Sequence, residues 1–248
     1  MSKYSPLHRP ELTASLALGD VAFDALISDP PRVFRAGTAI VGQGERHDYV
    51  YRLRTGWVAR VRALTDGRAQ YLLVFLPGDI FGVKSMFVLH QPDAVVALSD
   101  VTVERVEQHR LKAAFDADED LATRCTWQIV EEERRLHNWV VSLGQGSAEE
   151  RIAYVLREFS LRLAGADPGG RGLRDFAMPL TQEQLGNVLG LTPVHVNRVL
   201  RRLRQDEIVS VRNRMVRIIN PEALERISRP LQDMPAEPRE EETAEAAG

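Results

Sequence analysis

The sequence predicts an α+β chain in three parts: a β-rich N-terminal sandwich or barrel, one long helix, and a C-terminal helix-turn-helix followed by a two-stranded wing. Three observations carry this expectation. Glycines 37, 42, 44, 56, 67 and 78 cut residues 33–110 into short stretches such as WVARVRAL and QYLLVFL. From about Asp116 to Leu143 turn residues vanish and apolar positions recur at helical spacing. Residues 178–218, MPLTQEQLGNVLGLTPVHVNRVLRRLRQDEIVSVRNRMVRI, carry the caps and breaks of helix, tight turn, helix and hairpin.

The divisions follow from these signals. Residues 1–24 form an N-terminal segment and 25–115 the β domain, in which Asp66-Gly67 is a hairpin turn and Pro77-Gly78-Asp79 ends a strand. Residues 116–145 form the long helix. Leu121, Cys125, Ile129, Leu136, Trp139 and Leu143 make its apolar stripe, which Glu132 interrupts, and Glu131 with Arg135 forms an i, i+4 pair on the neighbouring face. A helix of about 28 residues extends about 40 Å at 1.5 Å per residue, more than a domain this small needs for its own core. The stripe therefore suggests a second copy of the helix, the other reading being a helix lying on its own sandwich.

Gly144-Gln145-Gly146-Ser147 breaks the helix, and Ser147 is placed to cap the next one. Residues 146–230 make the C-terminal domain. Thr181 with Gln184 forms a capping box, Gly190 closes the first helix of the pair, and Gly186 inside it is tolerable where close packing requires it. Thr192 caps the second helix, with Pro193 at its first position. Val196, Val199, Leu200 and Leu203 face inward, which leaves Val194, His195, Asn197, Arg198, Arg201 and Arg202 outward. After Ile208 and Val209, SVRNRMVRI alternates around Arg212-Asn213-Arg214 as a wing.

The charge distribution gives these elements a partner. The 248 residues are 44% hydrophobic and 27% charged, a globular composition, with a net charge of −3. Residues 231–248 hold six acids against Arg239, so the rest of the chain is positive. Within 194–217 seven arginines face two acids, a local +5. A helix end presenting His, Asn and Arg suits a DNA major groove, because Arg bonds bidentately to the guanine edge and clustered guanidiniums displace counterions. Arg198 is the first base-reading candidate, and the wing arginines suit phosphate. The acidic tail, disordered by composition, either docks on this patch or merely solvates the chain.

The chain resembles the Crp/Fnr superfamily of bacterial transcription regulators over roughly residues 30–225. The resemblance is carried by Gly37-Thr-Ala-Ile40, Gly44-Glu45, Tyr51-Arg-Leu-Arg-Thr-Gly56, Leu76-Pro-Gly-Asp-Ile-Phe-Gly82, the long helix, and Ala148-Glu-Glu-Arg151-Ile-Ala153. It implies a cyclic-nucleotide-binding-type jelly roll, a dimerisation helix and a homodimer that recruits or blocks RNA polymerase. The paired recognition helices would address half-sites of double-stranded DNA about 34–36 Å apart.

Departures from the family pattern limit what transfers. Val83 follows Gly82 where cyclic-AMP-binding relatives carry Glu, and Asp93 before Ala94 replaces their phosphate-binding Arg. The effector pocket of Gly82, Val83, Lys84, Asp93 and Ala94 is therefore not expected to take cyclic AMP in the usual way, although Lys84 offers a cation. The oxygen-sensing relatives' N-terminal cysteines are missing, which excludes their iron–sulfur cluster. Cys125 is either a small buried hydrophobe or one half of a disulfide across the seam. His47, His90, His109 and His137 show no spacing that singles out a haem ligand. Val194 stands where many members carry a glutamate, so the half-sites of the best-known members do not transfer.

No paired nucleophile and base, metal-ligand spacing or phosphate loop is found, the glycines of 165–172 included, so no enzyme or metal site is expected. The cofactor is left open. There is no apolar run of membrane-spanning length and no signal-peptide pattern, so the chain is expected in the cytoplasm, without a membrane partner. A second reading is a ligand-sensing module whose winged helix binds a protein.

Overall fold

A computed structural model of the chain describes residues 9–165 and 172–232. Residues 233–248 of the acidic tail and most of the glycine-rich stretch 165–172 lie outside the described residues. Helix α1 (Leu12–Leu26) leads into β1 (Arg32–Phe34), β2 (Ala39–Val41), β3 (Tyr49–Thr55), β4 (Val58–Ala63), β5 (Ala69–Phe75) and β6 (Ile80–Phe81). A 3-10 turn (Val83–Met86) precedes β7 (Ala94–Ala97) and β8 (Val101–Glu107).

These eight strands form two four-stranded antiparallel sheets, β1-β8-β3-β6 and β2-β7-β4-β5, the two leaves of a jelly roll. The Asp66-Gly67 turn joins β4 to β5, whose register runs from Val58 opposite Phe75 to Ala63 opposite Ala69. Alternate residues of the strands turn inward, as Val101 and Val103 of β8 do, and fill the space between the leaves.

Two helices follow, α2 (Gln108–Phe115) and α3 (Glu119–Gln145). Asp118 caps α3 by accepting from the Leu121 N–H at 2.9 Å. Helix α1 lies against the start of α3. Asp20 accepts from Arg124 at 2.8 Å with both side chains buried, and Ser15 donates to Asp120 at 2.6 Å. The approach is close enough that a Cβ on Gly19 would stand 2.3 Å from the Asp120 carbonyl oxygen.

This packing divides the stripe expected to meet a second copy. Leu121 and Cys125 are fully covered by the protomer itself, in a small core with Phe23, Val50, Ile80, Val83, Val106 and Leu111. Trp139 packs edge-on against Tyr154, and Leu136 is half-buried. Only Ile129 and Leu143 of the six remain exposed. The physical reason is that α1 and the β6 side of the jelly roll cover that face, so its apolar residues are core. Glu132, the apparent interruption, is buried in an ion pair with Arg60 at 2.8 Å, and Glu131 and Arg135 are likewise buried. The uncovered face is instead Thr126, Ile129, Val130, Glu133, His137, Val140 and Val141.

The C-terminal part comprises α4 (Ala148–Ala164), β9 (Asp175–Ala177), α5 (Gln182–Leu189), α6 (Pro193–Gln205), β10 (Val209–Arg212), β11 (Met215–Ile218) and α7 (Pro221–Ser228), closed by a 3-10 turn (Arg229–Leu231). The strands form one sheet of order β10-β11-β9. Its hydrophobic core runs without interruption into that of the jelly roll, with Trp57 of the latter meeting Phe159 of α4 edge-on at 4.9 Å.

Candidate nucleic-acid interface

The helix pair is built from local signals. The Thr181 hydroxyl accepts from the Gln184 N–H at 3.1 Å while the Gln184 side chain accepts from the Thr181 N–H at 2.9 Å, a complete capping box. Gly190 ends α5 in the left-handed region, at φ +63°, where glycine is favoured. Gly186 admits no side chain, because a Cβ there would lie 2.5 Å from the Leu191 carbonyl oxygen of the turn. Thr192 accepts from the His195 N–H at 3.3 Å and starts α6 with Pro193 in its first turn.

On α6, Val196 and Leu203 are buried and Val199 and Leu200 half-buried, as the spacing predicts. Val194, His195, Asn197, Arg198, Arg201 and Arg202 are exposed, Val194 by 69% of its surface. The Asn197 amide donates to the Gln182 side chain at 3.3 Å, which brings Gln182 into the surface. Gln182, Pro193, Val194, Asn197, Arg198 and Arg201 line an open cleft between the two helix starts. Gln182 was not singled out from the sequence; its place directly after the Thr181 cap is the signal that marks it.

The wing is β10 and β11 joined by Asn213-Arg214, both at positive φ, +51° and +60°. Two successive left-handed residues give the mirror-image turn whose twist suits a two-residue hairpin. Arg212 and Arg214 are exposed at its tip. Strand β9, which sequence pattern did not mark, braces β11 through Phe176 opposite Val216, and the Met178 N–H donates to the Arg214 carbonyl at 2.8 Å.

The seven arginines differ in what holds them. Arg202 reaches Glu149 of α4 at 3.4 Å and Asp206 at 3.7 Å, and Arg217 donates to Asp175 at 2.6 Å. Arg198, Arg201, Arg204, Arg212 and Arg214 have no carboxylate partner among the described residues. Arg151, at the start of α4, ties the base of this unit to the long helix by donating to the carbonyls of Leu143 at 2.8 Å, Gly146 at 2.9 Å and Leu189 at 3.2 Å.

The expected effector pocket is only partly assembled. Val83 is buried in the small core beside the 3-10 turn, whereas the Lys84 side chain is 39% exposed. Asp93, just before Ala94 at the start of β7, is buried and takes Arg62 at 2.7 Å and Lys84 at 3.4 Å. Behind them Arg60, lying over the Phe75 ring, pairs with Glu132 of α3. Burial, then the nearby Arg60, lowers the Lys84 pKa despite Asp93 and Glu132. Gly82 sits in the left-handed region at φ +87° and shapes the turn. Arg60 and Arg62 alternate within β4, the sequence signal that both belong to one face. Among the described residues no group of three or more His, Cys, Asp or Glu is placed to hold a metal, and no helix is long and apolar enough to cross a membrane. Burial pushes the Cys125 thiol up to about 12.

A winged helix-turn-helix with an arginine-bearing recognition helix, joined to a jelly roll by a long helix, defines the class of jelly-roll DNA-binding regulators. The comparisons with known proteins agree. Residues 31–118 match the cyclic nucleotide-binding domain and residues 150–227 the Crp-like helix-turn-helix domain. The chain is 29% identical over 192 residues to the nitrogen fixation regulation protein FixK of Rhizobium meliloti, covering 77% of this chain and 83% of that protein. It is 26% identical over 211 residues to the transcriptional activator protein Anr of Pseudomonas protegens, covering 85% of each. The structure of FixK2 from Bradyrhizobium japonicum superposes with a TM-score of 0.72 at 29% identity, covering 84% of this chain and 98% of that one. The chain belongs to the Crp/Fnr family of transcription regulators, and it is a DNA-binding regulator.

Proposed function

We propose that the protein acts as a homodimer that reads two DNA half-sites with α6 and grips their backbones with the wing. The observation that carries this reading is the set of five arginines on α6, its end and the wing that no carboxylate of the described chain neutralises. Arg198 and Asn197 are assigned to base edges, with Val194 offering only an apolar contact to a thymine methyl. His195, Arg201, Arg212 and Arg214 are assigned to phosphates, with the Thr181 and Thr192 hydroxyl protons as lesser donors. Arg202 acts through its tie to Glu149 more than through DNA.

The seam is assigned to the uncovered face of α3, where Ile129, Val130, Val140, Val141 and Leu143 surround Glu133 and His137. Two copies joined there present two recognition helices to sites about 34–36 Å apart. Cyclic AMP is not the effector in the usual manner, because Asp93 and Glu132 already neutralise the cations that an anionic ligand would need. The protein works in the cytoplasm, with RNA polymerase as its partner at promoters and no enzymatic activity of its own.

Selection of bound duplexes from a random pool, with sedimentation of the purified protein, tests this. A dimer and an enriched two-part site are expected. A monomer, or equal affinity for all duplexes at moderate salt, contradicts it.

A further inference from the structure

The winged helix is seated on its own jelly roll through a small polar centre that the DNA surface does not use. Asp79, in the turn between β5 and β6, has its side chain 14% exposed, and one carboxylate oxygen accepts from the Leu76 N–H at 2.8 Å. Its carboxylate then meets two guanidiniums from different helices. Arg135 of α3 approaches at 3.3 Å, and Arg162 of α4 pairs with Asp79 while donating to the Val74 carbonyl of β5 at 3.1 Å. Burial opposes the charge on Asp79, but the two guanidiniums outweigh it and hold the carboxyl below its usual range. Around this centre, Gln70 of β5 donates to the Asn187 carbonyl of α5 at 2.8 Å, and Trp57 meets Phe159.

The arrangement has a second property. Each arginine also has a carboxylate four residues earlier on its own helix: Glu131 lies 3.9 Å from Arg135, and Glu158 lies 3.3 Å from Arg162. Without Asp79 each arginine keeps a carboxylate on its own helix, and what is lost is the charge shared between the two helices and the β5–β6 turn. The loss is one of docking, with both folded units retained.

We propose that Asp79 is a positioning residue for DNA recognition, a carboxylate that pins α3 and α4 to the β5–β6 turn and so fixes how far α6 stands from the face of α3. The inference rests on the two-half-site reading above. A fixed offset in each protomer gives the dimer one preferred half-site spacing, and a joint released at Asp79 tolerates several.

The test uses the full-length dimer and a set of duplexes carrying the selected half-sites at the preferred spacing, at that spacing changed by one or two base pairs, and a single half-site. Asp79→Asn is expected to keep its helical signal and its single-half-site affinity. It should lose about tenfold or more on the preferred duplex, with the spacing preference flattened, as expected when two linked modules no longer match the span. Retention of the wild-type spacing profile overturns the proposal. Arg162→Met removes the same link from the α4 side and must flatten the profile too, so a fold defect in Asp79→Asn leaves a decisive variant. If the wild type itself shows no preferred spacing, the two-half-site reading fails, an outcome distinct from a variant that matches a spacing-selective wild type.

Discussion

Five largely buried arginines of the jelly roll and its joint and five exposed arginines of the winged helix are chemically the same residue in opposite states. Arg52, Arg60, Arg124, Arg135 and Arg162 are each held by a carboxylate of the same chain, with side chains at most 16% exposed. Arg198, Arg201, Arg204, Arg212 and Arg214 are exposed and have no such partner among the described residues. A guanidinium stays charged in any protein, so its function follows from where its counter-charge sits. In the first set the counter-charge is internal and the arginine fixes structure. In the second it must be supplied from outside, and a polyanion supplies it.

Breaking the comparison at the seam should have the largest effect. Val130→Glu with Val140→Glu places four carboxylates on the proposed two-fold contact while leaving each protomer's core untouched. The dimer is expected to dissociate in sedimentation experiments, and affinity for a two-half-site duplex should fall by on the order of 10²–10⁴ as avidity is lost. Next comes the buried set. Arg60→Ala leaves Glu132 buried without its partner and should cost about 3–5 kcal/mol in urea unfolding, whereas Arg60→Met with Glu132→Leu should come close to neutral. These internal pairs also set an acid limit. Asp79 titrates below its unfolded value, so its contribution is full at neutral pH and is lost as pH falls through its lowered native pKa. Unfolding measured from pH 7 downward should show the gap between wild type and Asp79→Asn closing below about pH 4.

Substitutions in the uncovered set should leave stability unchanged and act on DNA alone. Arg198→Ala is expected to cost about 1–3 kcal/mol at one base position and to relax specificity there, as read from a panel of single-base variants. Arg214→Ala should weaken all sequences evenly and reduce the salt slope by about one, the smallest change in the series.

How much of this was legible in the sequence depended on how local each signal is. Thr181 with Gln184, Gly190, and Thr192 with Pro193 determine the helix pair through neighbours within four residues, so spacing alone located the recognition helix and its outward side chains. The surface of the long helix is not legible in this way. Leu121, Cys125 and Trp139 form an apolar stripe, but α1, the jelly roll and α4 cover it, and no periodicity within residues 116–145 shows which face those distant segments occupy. The open face contains Glu133 and His137 and looks polar when read alone. Asp79 was visible as the end of a strand, yet its two arginines lie 56 and 83 residues away. Arg202 is exposed, as its helical spacing predicts, and only the position of Glu149 reveals that it is tied back.

The most direct test of the distinction between the two sets is the salt dependence of binding to the selected duplex, measured for the wild type and for Arg198→Ala, Arg212→Ala and Arg214→Ala. Each phosphate-bound cation contributes about 0.9 to the slope of log K against log salt on duplex DNA. The slope is expected to fall by about one for each wing arginine removed, while Arg198→Ala changes which bases are preferred. Slopes unchanged in both wing variants, together with an unaltered base preference in Arg198→Ala, would contradict that distinction.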